Sequence, residues 1–300
     1  MKIPTLAPLG LAIALAPAMV SGAGAQVREI DPNGLYPAGT RLSSPLTGIA
    51  FQLPEGFRAE WDPSMGGLVA MSTPGVFGGV WGWSEGTIED VASEVGQRLE
   101  AQGILVQPRG EQELTANGMR GVFDARTEDG VGVLYAAIGT GPSGGVVGIV
   151  GLADTASAAR AETFVERVVG SLEWSRPGAA VWRQEVTGAV LTWGGGGSDL
   201  SAGTTTATGA SSSSATLALC GVTEYRYQES SESYVSLPGA SASSTSSDEH
   251  TGQWWLVADL AGTPTLFLDA ADGRTFQWSV EESGDGFLID GYRYTVTGQC

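Results

Sequence analysis

The sequence predicts two sheet-based domains, an antiparallel α+β domain carrying two helices and then an all-β antiparallel barrel. Three observations carry that expectation. Along 275–280, polar Thr275, Gln277 and Ser279 alternate with apolar Phe276, Trp278 and Val280, the two-residue period of a half-buried strand. Asp290-Gly291 divides two apolar-rich runs, Phe287-Leu288-Ile289 and Tyr292-Arg293-Tyr294, and favours a type I′ turn because both positions accept positive φ. In the first half, apolar residues recur at helical spacing twice, through Ile88, Val91, Ala92, Val95 and Leu99 and through Phe164, Val165, Val168, Val169 and Leu172.

Taken in order, residues 1–25 read as a secretory signal: Lys2, an apolar run from Leu6 to Val20 broken by Pro8 and Pro17, and the small-residue end Ala23-Gly24-Ala25. That run is shorter than the ~20 residues a membrane-spanning helix needs. Cleavage is expected before Gln26, giving an exported chain, periplasmic or extracellular. Residues 26–39, with Asp31-Pro32-Asn33-Gly34 and Pro37, form a lead-in segment. Over 40–175, short strands are expected at 48–52, 57–61, 67–71 and 76–83. A helix then opens at Thr87, where Asp90 three residues on completes a capping box, and stops before Gly103. Five further strands and a second helix over 157–169 close the domain. Residues 176–186 are the linker, with a short helical turn from Ala180 to Val186, and 187–300 form the barrel. Within it, Gly194–Ser214 and Pro238–His250 are nearly all small and polar and read as loops.

The order strands, helix, strands, helix, with Phe51-Gln52-Leu53-Pro54-Glu55-Gly56-Phe57 at its start and Val169-Gly170-Ser171-Leu172-Glu173-Trp174 at its end, resembles the PsbP-like superfamily over about residues 40–175. The resemblance implies an accessory or binding domain rather than a catalyst. Leu219-Cys220-Gly221, Tyr225-Arg226-Tyr227, Gly252-Gln253-Trp254-Trp255, Asp272-Gly273-Arg274 and Asp290-Gly291-Tyr292-Arg293-Tyr294 together resemble a lipocalin-like bacterial C-terminal module over about 187–297. That resemblance implies a barrel and brings no catalytic residues with it.

Charge narrows the partners. The formal net charge is −18, and Lys2 is the only lysine, so the chain beyond the signal sets 14 arginines against 33 acidic residues. Nucleic acid and anionic membranes are poor partners for such a surface, and no membrane insertion is expected. Schiff-base and lysine-base chemistry are excluded from the exported chain. Cys220 and Cys300, an even pair in an oxidising compartment, favour a disulfide, with two free thiols as the competing reading.

The chemical motifs are few. Gly141-Pro142-Ser143-Gly144-Gly145 matches the serine-hydrolase elbow, and Gly139 to Ser143-Gly144 matches a phosphate-loop spacing, but strands are expected on both sides and neither motif has its helix. His250 is the single histidine, so no zinc site is expected. Asp248, Glu249 and His250 read as a solvated loop. No cofactor, metal or catalytic residue is expected. Trp254 and Trp255 must face opposite sides of one strand, while Trp81 and Trp83 share a side. The functional expectation is an exported, non-catalytic binding or accessory protein with a protein or small-molecule partner. Two alternatives stand beside it. One is a carrier of a small apolar ligand in the barrel, lined by Leu266, Leu268, Phe276, Trp278, Tyr292 and Tyr294. The other is a serine hydrolase built on Ser143 and His250.

Overall fold

The computed structural model describes residues 27–72, 75–115, 117–128, 130–197, 208–237, 240–284 and 286–300. The expected signal, 1–25, and parts of the two Ser-rich stretches lie outside the described residues. The first domain contains β1 (Val27–Glu29), β2 (Leu35–Tyr36), β3 (Arg41–Ser44), β4 (Ile49–Gln52), β5 (Phe57–Asp62), β6 (Gly67–Ser72), β7 (Val76–Trp83) and α1 (Ile88–Ala101). It continues through β8 (Leu105–Pro108), β9 (Glu113–Thr115), β10 (Gly118–Thr127), β11 (Gly130–Thr140), β12 (Val146–Ala153), α2 (Ala158–Gly170) and β13 (Glu173–Trp174). The larger sheet runs β2-β5-β6-β7-β12-β11-β10-β8, with β9 beside β10, and a smaller one runs β1-β3-β4-β13.

Central strand β12 shows how sequence pattern becomes layers. Val146 and Val150 join Trp81, Val91, Val95 and Leu99 under α1. Val147 and Ile149, one residue out of phase, join Leu42, Phe51, Phe164 and Val168 under α2 and the smaller sheet. Strand alternation thus feeds two cores on opposite faces. Glycines let the helices approach: a Cβ at Gly148 would stand 2.9 Å from Val91 Cγ1, and one at Gly151 would stand 2.4 Å from the Ala161 carbonyl oxygen. The capping box forms as expected. The Asp90 N–H donates to Thr87 Oγ1 at 3.1 Å and the Thr87 N–H donates to Asp90 Oδ2 at 3.1 Å.

The segment expected as a lead-in is built into this domain. β1 pairs in parallel with β3, so the fold is not wholly antiparallel, and Tyr36 on β2 is buried with its hydroxyl accepting the Asp31 N–H at 2.6 Å. The segment expected as a linker carries α3 (Gly178–Val186).

The barrel closes through β14 (Ala189–Gly197), β15 (Thr208–Ala218), β16 (Glu224–Leu237), β17 (Ala240–Ala258), β18 (Pro264–Ala270), β19 (Thr275–Ser283), β20 (Gly286–Ile289) and β21 (Tyr292–Gln299), each pairing antiparallel with the next and β21 returning to β14. Asp290 and Gly291 both adopt positive φ, 50° and 80°, which is the backbone the type I′ expectation required. The Cys220–Cys300 disulfide joins the turn after β15 to the end of β21.

The Ser-rich stretches are the main correction to the sequence reading. Gly194–Gly197 pair with Ser211–Ser214, Ser211–Ser214 pair with Ser230–Ser233, and β16 pairs with β17 out to Leu237 and Ala240. These residues are strand, not loop. Low hydrophobicity signals a loop only where a strand must bury one face. Here the ladder extends past the enclosed core, and Ser211, Ser212, Ser214, Ser230 and the residues 241–247 are exposed. Backbone pairing holds it together with hydroxyl contacts from Ser214 to Ser230 and from Ser233 to Ser244.

The domains meet at the lower end of the barrel. The Ser84 N–H donates to the Ala258 carbonyl at 2.9 Å, and the Ala258 N–H donates to Ser84 Oγ at 3.0 Å. Leu260, from the turn after β17, is fully buried in the first domain's core, and Arg183 of α3 donates to Glu85 at 2.7 Å.

Candidate functional site

Three places bear on function: the barrel interior, the His250 cluster at its lip, and the cleft between the domains. Inside the barrel, Leu266, Leu268 and Tyr294 are buried, and Phe276 and Trp278 pack half-buried against the same cluster as Leu191, Leu217, Trp254 and Ile289. Rings meet one another there, with Tyr227 and Trp278 centroids 5.3 Å apart and Phe276 and Trp278 5.7 Å apart. Tyr292 is different. It is 52% exposed at the upper rim, where its ring meets the edge of Trp193 at 4.6 Å. The Trp254 indole N–H is buried without a hydrogen-bond partner, as is His250 Nε2.

His250 is buried, and its Nδ1 lies 2.8 Å from the Tyr225 hydroxyl. Burial pushes that phenol up to about 12, so it stays protonated at neutral pH and shares one hydrogen bond with Nδ1, whose direction follows the imidazole tautomer. Nε2 lies 4.0 Å from Asp248 Oδ2. Arg274 forks onto the Asp248 carboxylate at 2.9 and 3.1 Å and reaches Asp272 at 2.8 Å. These bonds hold the Asp248 carboxyl below its ordinary value. Phe276 stacks on the imidazole at 4.6 Å, and Tyr227 lies at 4.8 Å. Burial pushes the imidazole below its ordinary value, so it is neutral at neutral pH.

This corrects the reading of Asp248-Glu249-His250 as a loop. Strand alternation turns Asp248 and His250 to one side, while Glu249 on the other side pairs with Arg226 at 2.6 Å. Ser143 occupies the exposed turn between β11 and β12, whereas His250 is enclosed by Tyr225, Tyr227 and Phe276 of the barrel. The serine and the imidazole therefore belong to separate surroundings.

The third place is a cleft of about 590 Å³ between the domains, where Trp83, Asp90, Glu94 and Arg98 face Trp255, Asp259 and Phe267. Strand register makes it. Trp255 and Phe267 are cross-strand partners on the outer face of β17 and β18, and their rings lie parallel, 2° apart in plane, with centroids 5.5 Å apart. Trp83 follows Trp81 on one face of β7, but Trp81 is buried with its indole bonded to the Met65 carbonyl while Trp83 reaches the cleft. Burial raises the Asp259 carboxyl above its ordinary value, and its Oδ1 accepts the Thr263 N–H at 3.0 Å. A half-buried carboxyl beside aromatic faces in a cleft is the environment in which binding residues are perturbed.

Sequence reasoning set Trp254 and Trp255 on opposite faces without saying which is inward. The structure buries Trp254 and turns Trp255 outward, and it brings in Phe267 and Asp259, which the sequence reading missed. One signal was available. Trp255, Val257 and Phe267 put large apolar groups on the side of β17 and β18 opposite Trp254, Leu256, Leu266 and Leu268, where plain alternation would put polar ones.

No family model matches the chain, and no curated protein matches it. Among solved structures, it is similar to the solution structure of cyanobacterial PsbP (CyanoP) from Synechocystis sp. PCC 6803, at 14% identity and a TM-score of 0.34, over 45% of this chain and 92% of that one. At that level of similarity the α+β architecture rests on the strand order itself.

Proposed function

We propose that this is an exported, non-catalytic binding protein that holds its ligand in the cleft between its two domains. The observation that carries the reading is the parallel Trp255–Phe267 pair, left half-exposed on a barrel face and met by Trp83 and Asp259 across about 590 Å³. Monomeric soluble proteins seldom leave large aromatic faces together in a concave site without use for them. Export is supported by the signal-like first 25 residues and the Cys220–Cys300 disulfide. The barrel's inward Leu, Tyr and Trp and its outward Arg226, Gln228, Gln253, Gln277 and Ser279 reverse the pattern of a membrane-spanning barrel, in keeping with a water-facing protein.

A non-catalytic role is supported by the enclosure of the imidazole, which is 5% exposed between the Tyr225 phenol and the Phe276 ring, beside an Asp248 carboxylate that Arg274 already holds, and apart from Ser143. The carrier reading is the second candidate and rests on the aromatic inner surface beneath Tyr292. It is weaker because those rings already fill space against one another.

Fragment screening by NMR on protein with labelled indoles tests the proposal. Hits should perturb Trp83 and Trp255 and spare Trp278. Hits confined to Trp278 and Trp193 would move the site into the barrel, and turnover of an ester, peptide or glycoside lost in Ser143→Ala would overturn the non-catalytic reading.

A further inference from the structure

Resting on the cleft as binding site, we propose that its ligand class is an organic cation, an alkylammonium or guanidinium head of the size of choline. The lining supplies both halves of such recognition. Trp83, Trp255 and Phe267 offer π faces, which attract cations through the ring quadrupole, with Trp the strongest of the aromatic side chains. Glu85, Asp90, Glu94 and Asp259 offer four carboxylates.

Existing cations answer only part of that charge. Arg98 pairs with Glu94 at 2.7 Å, and Arg183 pairs with Glu85 at 2.7 Å. Asp90 is engaged by Thr87 in the helix cap, and Asp259 accepts the Thr263 N–H of its own turn. The cleft is therefore anionic, in a chain of net charge −18. A cation entering it gains the ring faces and the carboxylates of Asp90 and Asp259, which are held by hydrogen bonds and not by a salt bridge among the described residues. Arg98 acts on Asp259 and offsets part of its charge, while an anion would meet net negative charge.

A sugar is the competing guest that the test separates, because the lining also holds donors in Thr265, Gln277, Arg98 and the indoles of Trp83 and Trp255. The four carboxylates weigh the balance toward a cation. Burial of Asp259 adds a pH signature, because a cation is best served by the ionised carboxylate and its affinity should rise as that acid loses its proton.

Calorimetric titration of the full exported chain with three probes tests the proposal: choline, its neutral carbon isostere 3,3-dimethyl-1-butanol, and cellobiose. Choline should bind saturably, at least about tenfold more tightly than the isostere, the range expected for cation–π recognition reinforced by a carboxylate. Trp255→Ala and Asp259→Asn should each weaken choline about tenfold, Phe267→Leu less, with far-UV spectra and melting temperatures unchanged. The rise of affinity with pH should vanish in Asp259→Asn. Equal binding of choline and the isostere, with sensitivity to Trp255→Ala, would overturn the cation class and leave an apolar cleft. Cellobiose binding with the same sensitivity would replace it by a sugar. Absence of binding by choline would overturn the cation class. If the isostere and cellobiose also failed and labelled Trp83 and Trp255 met no fragment, the cleft itself would fall with it.

Discussion

The lower and upper halves of β16 and β17 use one backbone ladder in two ways. Below Thr251, the inward side chains are Tyr225, Tyr227, Trp254 and Leu256, and the sheet curls shut with β18 to β21 to hide them. Above it, β17 carries Ser and Thr at 241 and 243–247 and pairs with β16 alone. Apolar surface is what makes closure favourable, at about 25 cal/mol for each Å² removed from water, and the upper half, mostly Ser, Thr and Glu with Tyr234 still half exposed, has little to remove. Hydrogen-bonded pairing sets where a strand runs, and buried area sets where a sheet must close. His250, at the junction, is the last buried ring before the serines begin.

Four perturbations sharpen or break this contrast. The largest should come from Cys300→Ser at the lower end. The disulfide spans 80 residues, and its loss should destabilise the barrel by about 4–5 kcal/mol in the chain-entropy view, read as a fall in the urea midpoint of tryptophan fluorescence. A loss below about 1 kcal/mol would mean that β14–β21 pairing and core burial close the barrel unaided. Leu268→Ala, in the enclosed half, should cost about 2–5 kcal/mol in the same assay, because Leu268 is 1% exposed and packed among rings that cannot all collapse into the gap.

The junction should respond to acid. Burial depresses the His250 pKa in the folded state below the 6.5 of the unfolded chain, so below about pH 6.5 the unfolded state takes up the proton first. Stability should therefore be constant above that value and fall as pH drops toward the folded pKa, by at most about 1.4 kcal/mol per pH unit. Asp248 and Asp272 oppose the depression and Arg274 adds to it. His250→Phe, which keeps a ring against Phe276, should flatten that slope, and an unchanged slope would assign it elsewhere. The smallest effect should come from Ser244→Ala in the upper half. Its hydroxyl lies 2.8 Å from Ser233 Oγ, but both are exposed, and the change should stay within about 0.5 kcal/mol. A cost above 1 kcal/mol would show that the serine ladder is held by its side chains after all.

Much of the fold was legible because it depends on local period. The stripe from Ile88 to Leu99, the cap at Thr87, the Asp290-Gly291 turn and the alternation through Phe276 and Trp278 each state a backbone conformation within a few residues. The candidate site was only half legible. The sequence could say that Trp255 faces away from Trp254, but not that Phe267 would stand beside it or that Trp83 would face it from another domain, because those distances depend on strand register and domain docking.

The sequence by itself determined the two sheet-based halves, both principal helices and the acidic, nearly lysine-free surface, since periodicity, turn chemistry and charge are properties of neighbouring residues. Tertiary structure alone decided that the serine runs are strands, that the lone histidine is buried against a phenol, and that a turn leucine seals one domain into the other. Each of those outcomes depends on pairing partners and burial contributed by residues far apart along the chain.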